Sequence, residues 1–370
     1  MKNKKLLPLL FVLLVFGMNS VFPEAVVEKI GIFKFKYTKI RRREAALIKE
    51  KTLEYYNEII ARYSFNKASA QLVIEIAKSK REFLKLYGGN DNFVPSAFAR
   101  GKNYICINPG EINVKNPFIY SLLRHELTHS CIAATFKNNL PTWLEEGAAT
   151  NSEFLSEIVE SYPRDLIYNY YSGEITSKIT VNYLIKKSTN VGTGYAVAFA
   201  AFYQLNNNFP GKNFKGYVEY LKKQQNKEAG EYVKFSMASL SEYYGFDVTE
   251  WNGWFDNTPQ IVSGLFKAYD STYKITGLSN LVFTHPADIN ITVRSLTRKE
   301  PIRCIELCRV NFQKKKEKGM KTFFTDRVVN TMRAGRLSPG LYVVNLFKKS
   351  HRKNSYPWAF AIPFIVKKSE

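Results

Sequence analysis

Two histidines and a glutamate within one short stretch have the residue types and spacing needed to bind and use a metal ion. His125, Glu126 and His129 form the pattern His-Glu-x-x-His. On a helix the two histidines project from the same face, one turn apart, and two imidazoles at this spacing can bind one zinc ion. In a chain with four histidines and 32 acidic residues such a match is expected only about 0.004 times by chance. The pattern therefore predicts a zinc site on a helix.

The sequence around this pattern predicts the helix itself and supplies a third ligand. Asn116 and Pro117 suit the N-cap and the first helical position. The apolar residues that follow at helical spacing are Ile119, Tyr120, Leu123 and Leu127. A catalytic zinc site has three protein ligands and one open position. Glu145 and Glu146 are the nearby candidates, and only one can face the metal because adjacent helical residues point about 100° apart.

Residues 121–149 resemble the gluzincin metallopeptidases, in particular the bacterial peptidase-MA-like group. That group continues His-Glu-Leu-Thr-His with Pro-x-Trp-Leu-x-Glu-Gly-x-Ala. The matching residues here are Pro141, Trp143, Leu144, Glu146, Gly147 and Ala149. The resemblance implies Glu146 as the third ligand, with Glu145 as the alternative. It also implies that a tyrosine at the start of a later helix, Tyr195, donates to the developing oxyanion, with Tyr203 as its competitor and an ordinary core role as the alternative.

These assignments predict one Zn²⁺ per chain and a hydrolytic mechanism. Zinc held by His125, His129 and Glu146 would lower the pKa of a bound water towards 7. Glu126 would accept the proton of that water and deliver it to the leaving amine. Zinc and Tyr195 would stabilise the oxyanion. Thr150, one helical turn after Glu146, is a candidate to support a ligand by hydrogen bonding, and the alternative is an ordinary helix residue.

The segment before the zinc helix is the candidate substrate-binding strand. Two short strands around Gly101 and Lys102 fit a β-hairpin. In the gluzincin family the strand before the zinc helix is a sheet edge. The resemblance implies that Tyr104–Asn108 is this strand here, with Tyr104, Ile105 and Ile107 as substrate-binding residues. An exposed edge can pair with an extended peptide through main-chain hydrogen bonds. The alternative is an ordinary strand inside a sheet.

The order of elements predicts an α+β fold with two domains after a leader. We expect a helix over Glu44–Tyr63, a strand over Gln71–Ala77 and a helix capped by Ser79 that ends at Gly88. The resemblance implies a zincin-like metallopeptidase domain over residues 26–270. From residue 271 onwards, short β-rich segments recur every 8–12 residues, which predicts an immunoglobulin-like β-sandwich over 271–370.

The beginning of the chain predicts export. Three lysines precede an apolar run from Leu6 to Met18, which is typical of a signal peptide over residues 1–25; an uncleaved membrane anchor is the alternative. We therefore expect a periplasmic or extracellular protein. The net charge of +22 suits an acidic envelope surface better than nucleic acid, although a lysine-rich solvated surface explains it without a partner.

Three functions are compatible with these observations. The first is an exported zinc metallopeptidase that acts on peptides or proteins. The second is a non-catalytic, zinc-stabilised envelope binding protein, and the intact Glu126 argues against it because a structural site needs no base. The third is a hydrolase of another bond. The four cysteines predict either two disulfides or four buried thiols, and Cys304 and Cys308 on one strand would lie about 13 Å apart, too far to bond.

Overall fold

A computed structural model describes most of the chain as a mixed α+β protein. It covers residues 24–68, 71–88, 95–110, 112, 118–137, 139–153, 191–228 and 230–252, and towards the C-terminus 273–277, 282–285, 288–295, 304–311, 316–324, 329–347 and 358–367. The apolar run predicted to be a signal peptide lies outside these residues. No helix within them is long and apolar enough to cross a membrane.

The first sheet has five strands in the order β1-β2-β3-β5-β4. The strands are β1 (Ala25–Ile30), β2 (Phe33–Thr38), β3 (Leu72–Ile76), β4 (Ala97–Ala99) and β5 (Tyr104–Ile107). β2, β3 and β5 are parallel neighbours, whereas β1 and β4 run antiparallel at the two edges. The alternating burial of β2 and β3 places one face of the sheet on the hydrophobic core.

The prediction that Tyr104–Asn108 forms the edge of this sheet is wrong. β5 pairs with β3 on one side and with β4 on the other, so its main-chain groups are already used. Ile105 and Ile107 are buried in the core. The edge strand is β4, the first strand of the predicted hairpin. The hairpin itself is confirmed, and Gly101 provides its left-handed residue with φ of 59°.

Seven α-helices lie in the described part of the chain. They are α1 (Arg42–Tyr63), α2 (Lys80–Tyr87), α3 (Phe118–Phe136), α4 (Thr142–Glu153), α5 (Val191–Asn207), α6 (Phe214–Gln224) and α7 (Met237–Tyr244). The predicted boundaries of α2 are confirmed because the Ser79 side chain accepts a hydrogen bond from the Glu82 N–H and Gly88 ends the helix at φ 73°. The cap predicted at Asn116 and Pro117 lies outside the described residues.

A close contact between α4 and α5 fixes the position of α4. A Cβ atom added to Gly147 would lie 2.6 Å from the carbonyl oxygen of Ala198 and 2.6 Å from the Cβ of Phe202. Only glycine allows the two backbones to approach in this way. The neighbouring Ala148 and Ala149 are fully buried. The small residues after Glu146 therefore let α4 sit deep in the core, with its first turn next to α3.

The C-terminal part of the chain is built from strands, as predicted. They are β6 (Tyr273–Thr276), β7 (Val282–Thr284), β8 (Asp288–Ser295), β9 (Cys304–Asn311), β10 (Lys316–Phe324), β11 (Val329–Arg336), β12 (Gly340–Phe347) and β13 (Trp358–Lys367). They form a five-stranded sheet, β10-β9-β12-β13-β7, and a three-stranded sheet, β11-β8-β6. The sequence did not predict β11, which is rich in polar residues, or β13, which contains a proline. The immunoglobulin-like sandwich and the boundary at residue 270 stay predictions.

The four cysteines form no disulfide, and all four are buried. This decides between the two alternatives that the sequence left open. Cys131 lies in the core cluster, on the side of α3 away from the two histidines. Burial raises the pKa of the Cys106 thiol to about 12 and that of the Cys304 thiol to about 11. Cys106, Cys131 and Cys304 therefore remain protonated and contribute packing rather than thiolate chemistry.

Candidate metal centre

Helix α3 presents the two predicted histidines to one point in space. His125 and His129 are one turn apart, and their Nε2 atoms lie 3.0 Å from each other. The ring centroids are 4.7 Å apart. His125 is 9% exposed, so the pair lies at the base of a cleft rather than on the surface. The helical spacing read from the sequence therefore produces the expected convergence.

Helix α4 brings Glu146 to the same point. Its Oε2 lies 3.4 Å from Nε2 of His125 and 3.6 Å from Nε2 of His129. Ligand atoms of a tetrahedral zinc site are typically about 3.3 Å apart. Among the described residues Oε2 of Glu146 is buried and accepts no hydrogen bond, which is costly for a carboxylate unless a cation is bound. The three side chains form a cluster suited to a metal ion, and their nitrogen and carboxylate donors fit zinc.

The Nδ1 atom of each histidine, which faces away from the cluster, contacts a further glutamate of α4. Nδ1 of His125 lies 2.5 Å from Oε1 of Glu153, and Oε2 of the same carboxylate accepts a hydrogen bond from Ser121 at 3.2 Å. Nδ1 of His129 lies 2.9 Å from Oε1 of Glu145. When Nδ1 donates to a carboxylate, the lone pair of Nε2 is left for the metal. The structure therefore places Glu145 behind a ligand and does not support it as the third ligand.

Glu153 is a residue of the candidate site that the sequence analysis missed. It follows Glu146 by seven residues, two helical turns, so both project from one side of α4. That spacing could have found it. The prediction for Thr150 is wrong: its hydroxyl is fully buried and makes no hydrogen bond to any group in the described part of the chain.

Burial and charge act against each other at this site. Burial by itself lowers the pKa of His129, but the charge of Glu146 and the hydrogen bond to Glu145 outweigh it and raise the pKa to about 10. His125 follows the same pattern: burial lowers its pKa, but the neighbouring Glu146 and Glu153 carboxylates outweigh it and raise the pKa well above the ordinary value. Burial alone would raise the pKa of Glu146, yet the two imidazoles hold it below its usual range. The cluster is thus a strongly coupled network of negative and positive charge.

Glu126 and Tyr195 lie in the cleft above the cluster. Both belong to the walls of an open cleft of about 270 Å³ that also contains the three candidate ligands. Burial raises the pKa of Glu126, partly offset by the neighbouring imidazoles. The Tyr195 ring lies 6.4 Å from the His125 ring. Burial first, and then the charge of Glu146, raises the pKa of Tyr195, so its hydroxyl stays protonated. Tyr203 does not line the cleft.

The remaining wall of the cleft comes from the edge strand. Ala97, Ala99 and Gly101 of the β4–β5 hairpin line it, together with Ala133 of α3. Tyr104, Ile105 and Ile107, the predicted substrate-binding residues, do not. The sequence analysis thus identified the hairpin that lines the cleft, but it chose the strand of the hairpin that does not line it.

Comparisons with known proteins add little to this geometry. No protein-family model and no curated protein matches the chain. Among solved structures, aminopeptidase A of Legionella pneumophila in complex with aspartic acid matches with a TM-score of 0.39 and 11% identity, covering 84% of this chain and 35% of that one. Yeast LTA4 hydrolase in complex with bestatin matches with a TM-score of 0.39 and 16% identity, covering 62% and 39%. The chain spans little more than a third of these proteins, and such scores support no functional argument. The case for a metal centre rests on His125, His129 and Glu146 themselves.

Proposed function

We propose that this protein is a zinc-dependent peptidase. The single observation that carries the proposal is the convergence of His125, His129 and Glu146 at the base of an open cleft that also holds Glu126. When bound there, zinc supplies a Lewis acid that polarises a carbonyl and lowers the pKa of water. Two nitrogens and one carboxylate are the ligand set of catalytic sites that keep a position open.

Glu126 is proposed as the general base. Its carboxylate lies on the cleft wall next to the cluster, and burial shifts its pKa upwards, which brings it closer to the range useful for proton transfer. It accepts a proton from the attacking water and delivers that proton to the leaving amine. A purely structural site would gain nothing from a buried carboxylate at this position, because burying an unpaired carboxylate costs stability.

Tyr195 is proposed as the donor to the developing oxyanion. Its raised pKa keeps the hydroxyl protonated at neutral pH, so it can donate a hydrogen bond. The substrate is proposed to be an extended peptide that pairs with β4. Among the residues that the structure describes, this strand has a neighbour on one side only, so its other side offers main-chain groups without demanding a particular sequence.

The test compares zinc content and turnover in matched variants. We expect Glu126→Gln to bind zinc like the wild type and to lose peptidase activity, whereas Glu146→Ala loses zinc. Glu50→Gln, which changes an exposed glutamate on α1 in the same way, should retain both. Wild-type activity in Glu126→Gln would exclude the mechanism, and a wild-type protein that binds no added zinc would exclude the function.

Two other functions are separated by the same experiment. A zinc-stabilised binding protein would bind the metal and gain stability but cleave no peptide in a broad library. A hydrolase of another bond would cleave ester or other test substrates and require the same Glu126. The intact Glu126 and the open cleft favour catalysis over the first alternative.

Export and the C-terminal sandwich are further parts of the proposal. The lysines and apolar run before residue 25 support secretion to the periplasm or the medium, either with cleavage or as an anchored protein. The high positive charge supports residence near an acidic envelope surface. We propose that residues 271–370 form an immunoglobulin-like sandwich, supported by two antiparallel-rich sheets with buried alternating residues. Fractionation of cells that express the full chain tests the location.

A further inference from the structure

Two lysines flank one end of the cleft. Gly101 and Ala133 both line the cleft. Lys102 directly follows Gly101 in the β4–β5 turn, and Lys137 follows Ala133 by one helical turn, donating its N–H to the Ala133 carbonyl at 3.1 Å. The turn of the hairpin and the C-terminal end of α3 therefore bring two ammonium groups to the same end of the cleft.

Tyr232 holds these two lysines together. Nζ of Lys102 donates to the Tyr232 hydroxyl at 2.6 Å and lies 5.0 Å from the ring centre. Nζ of Lys137 lies 5.7 Å from the same ring. The next residue, Val233, is buried and donates its N–H to the carbonyl of Thr135 in α3 at 2.8 Å, which fixes the segment to the helix. The fold thus places both ammonium groups against the same aromatic ring.

A third cation, Arg100, extends the positive end of the cleft. Its guanidinium donates to the carbonyl oxygens of Leu86 and Tyr87 at 2.8 and 3.4 Å and lies 5.5 Å from the Phe98 ring. Tyr87 and Phe98 also line the cleft. Within the part of the chain that the structure describes, neither Arg100 nor Lys137 forms an ion pair with a carboxylate. Cations gathered at one end of a cleft attract an anionic group of a ligand.

We propose that this cationic end binds an acidic side chain of the substrate, three or four residues before the cleaved bond. The inference rests on the proposed peptidase function. Lys137 lies eight residues beyond His129 along α3, about 12 Å, which an extended peptide spans in three to four residues. Antiparallel pairing, the slightly stronger arrangement, places the residues before the cleaved bond next to Gly101, because β4 runs from Ala97 towards that turn.

The test uses peptides that differ only in charge. Cleavage sites are first mapped with a broad peptide library, and the best peptide is then made with Glu or Gln at each position around the cleaved bond. We expect Glu three or four residues before the bond to raise kcat/KM about three- to tenfold over Gln, as for partly exposed charge pairs. The Glu-to-Gln ratio should fall close to one in the double variant Lys102→Met, Lys137→Met, and in 0.5 M NaCl because salt screens the pair.

A ratio measured within each variant cancels differences in folding or zinc content. Lys215→Met, which removes an exposed lysine of α6 that does not line the cleft, should keep the wild-type ratio. A ratio of one in the wild type, a ratio unaffected by the double variant, or a preference found only after the cleaved bond would each overturn the proposal. If no peptide is cleaved at all, the peptidase function fails. Binding of labelled Glu and Gln peptides to the zinc-loaded protein then tests the cationic subsite separately. Tighter binding of the Glu peptide, abolished in the double variant, supports the subsite, and equal binding of the two peptides overturns it.

Discussion

Removal of the Glu153 carboxylate tests whether the outer glutamates act on the metal. Glu153 is 3% exposed and holds Nδ1 of His125 at 2.5 Å. Substitution by alanine leaves that nitrogen and the Ser121 hydroxyl without their partner. Because Nδ1 then has no acceptor to fix its proton, the ring can turn and can present the wrong nitrogen to the metal. We expect weaker zinc binding although no ligand has been changed.

The expected loss follows from the geometry of the pair. Changes to the partner of a metal-bound histidine typically cost about 10- to 100-fold in metal affinity, which is about 1.4 to 2.7 kcal/mol. The short contact and the deep burial of Glu153 place it at the upper part of this range. Glu153→Gln keeps an oxygen acceptor for Nδ1 and loses only the charge, so its loss should be smaller, about three- to tenfold.

The measurement is a zinc competition titration at pH 7.5 with a chromophoric chelator, together with denaturant unfolding of each metal-free variant. The unfolding curve shows whether a variant is folded before its affinity is interpreted. Glu50→Gln serves as the control for a glutamate outside the site. A folded Glu153→Ala protein with the zinc affinity of the wild type would refute the reasoning, and so would a Glu153→Gln variant that binds more weakly than Glu153→Ala.

Three further outcomes are expected. Gly147→Ala should lower the free energy of unfolding, measured in urea, by about 1–3 kcal/mol through overpacking against Ala198. Gly88→Ala should cost less, because the added methyl group meets no atom within 4 Å and only backbone strain at φ 73° opposes it. Equal losses in the two variants would contradict the close contact. In protein stripped of zinc, the pKa values of His125 and His129 are raised, so the stabilisation by the two histidines is complete below about pH 6.5 and is lost as the pH rises towards 10. The melting temperature should therefore fall between these pH values. A constant or rising melting temperature would contradict the charge network. A thiol reagent should react slowly with the native protein and should label four cysteines after denaturation, and a reductant should not change that number. Rapid labelling of the native protein would show that the thiols are accessible.

Local sequence determined the parts of the site that depend on one helix or one turn. His125 and His129 converge because their spacing of four residues matches the helical repeat. The Ser79 cap and Gly88 end of α2 follow from side-chain chemistry and backbone freedom at single positions. The hairpin around Gly101 follows in the same way. In each case the interaction that decides the structure lies within a few residues of chain.

Contacts between distant segments decided the rest. The choice between Glu145 and Glu146 depends on how α4 is rotated against α3, and Gly147 sets that rotation through its contact with α5. Glu153 became a partner of His125 for the same reason. No local pattern specifies the angle between two helices, since it results from packing over their whole length.

Strand order was likewise decided only in the tertiary structure. The sequence identified the strands β4 and β5 but not which of them pairs with β3, because both are short and apolar and the pairing partner lies about thirty residues earlier in the chain. The positive end of the cleft shows the same division: Lys102, Lys137 and Tyr232 are far apart in sequence, and only packing against the end of α3 brings them together. The sequence alone thus determined the metal-binding pattern, through residue types at helical spacing. The fold determined which side chains surround that pattern, because those contacts join segments that no local rule relates.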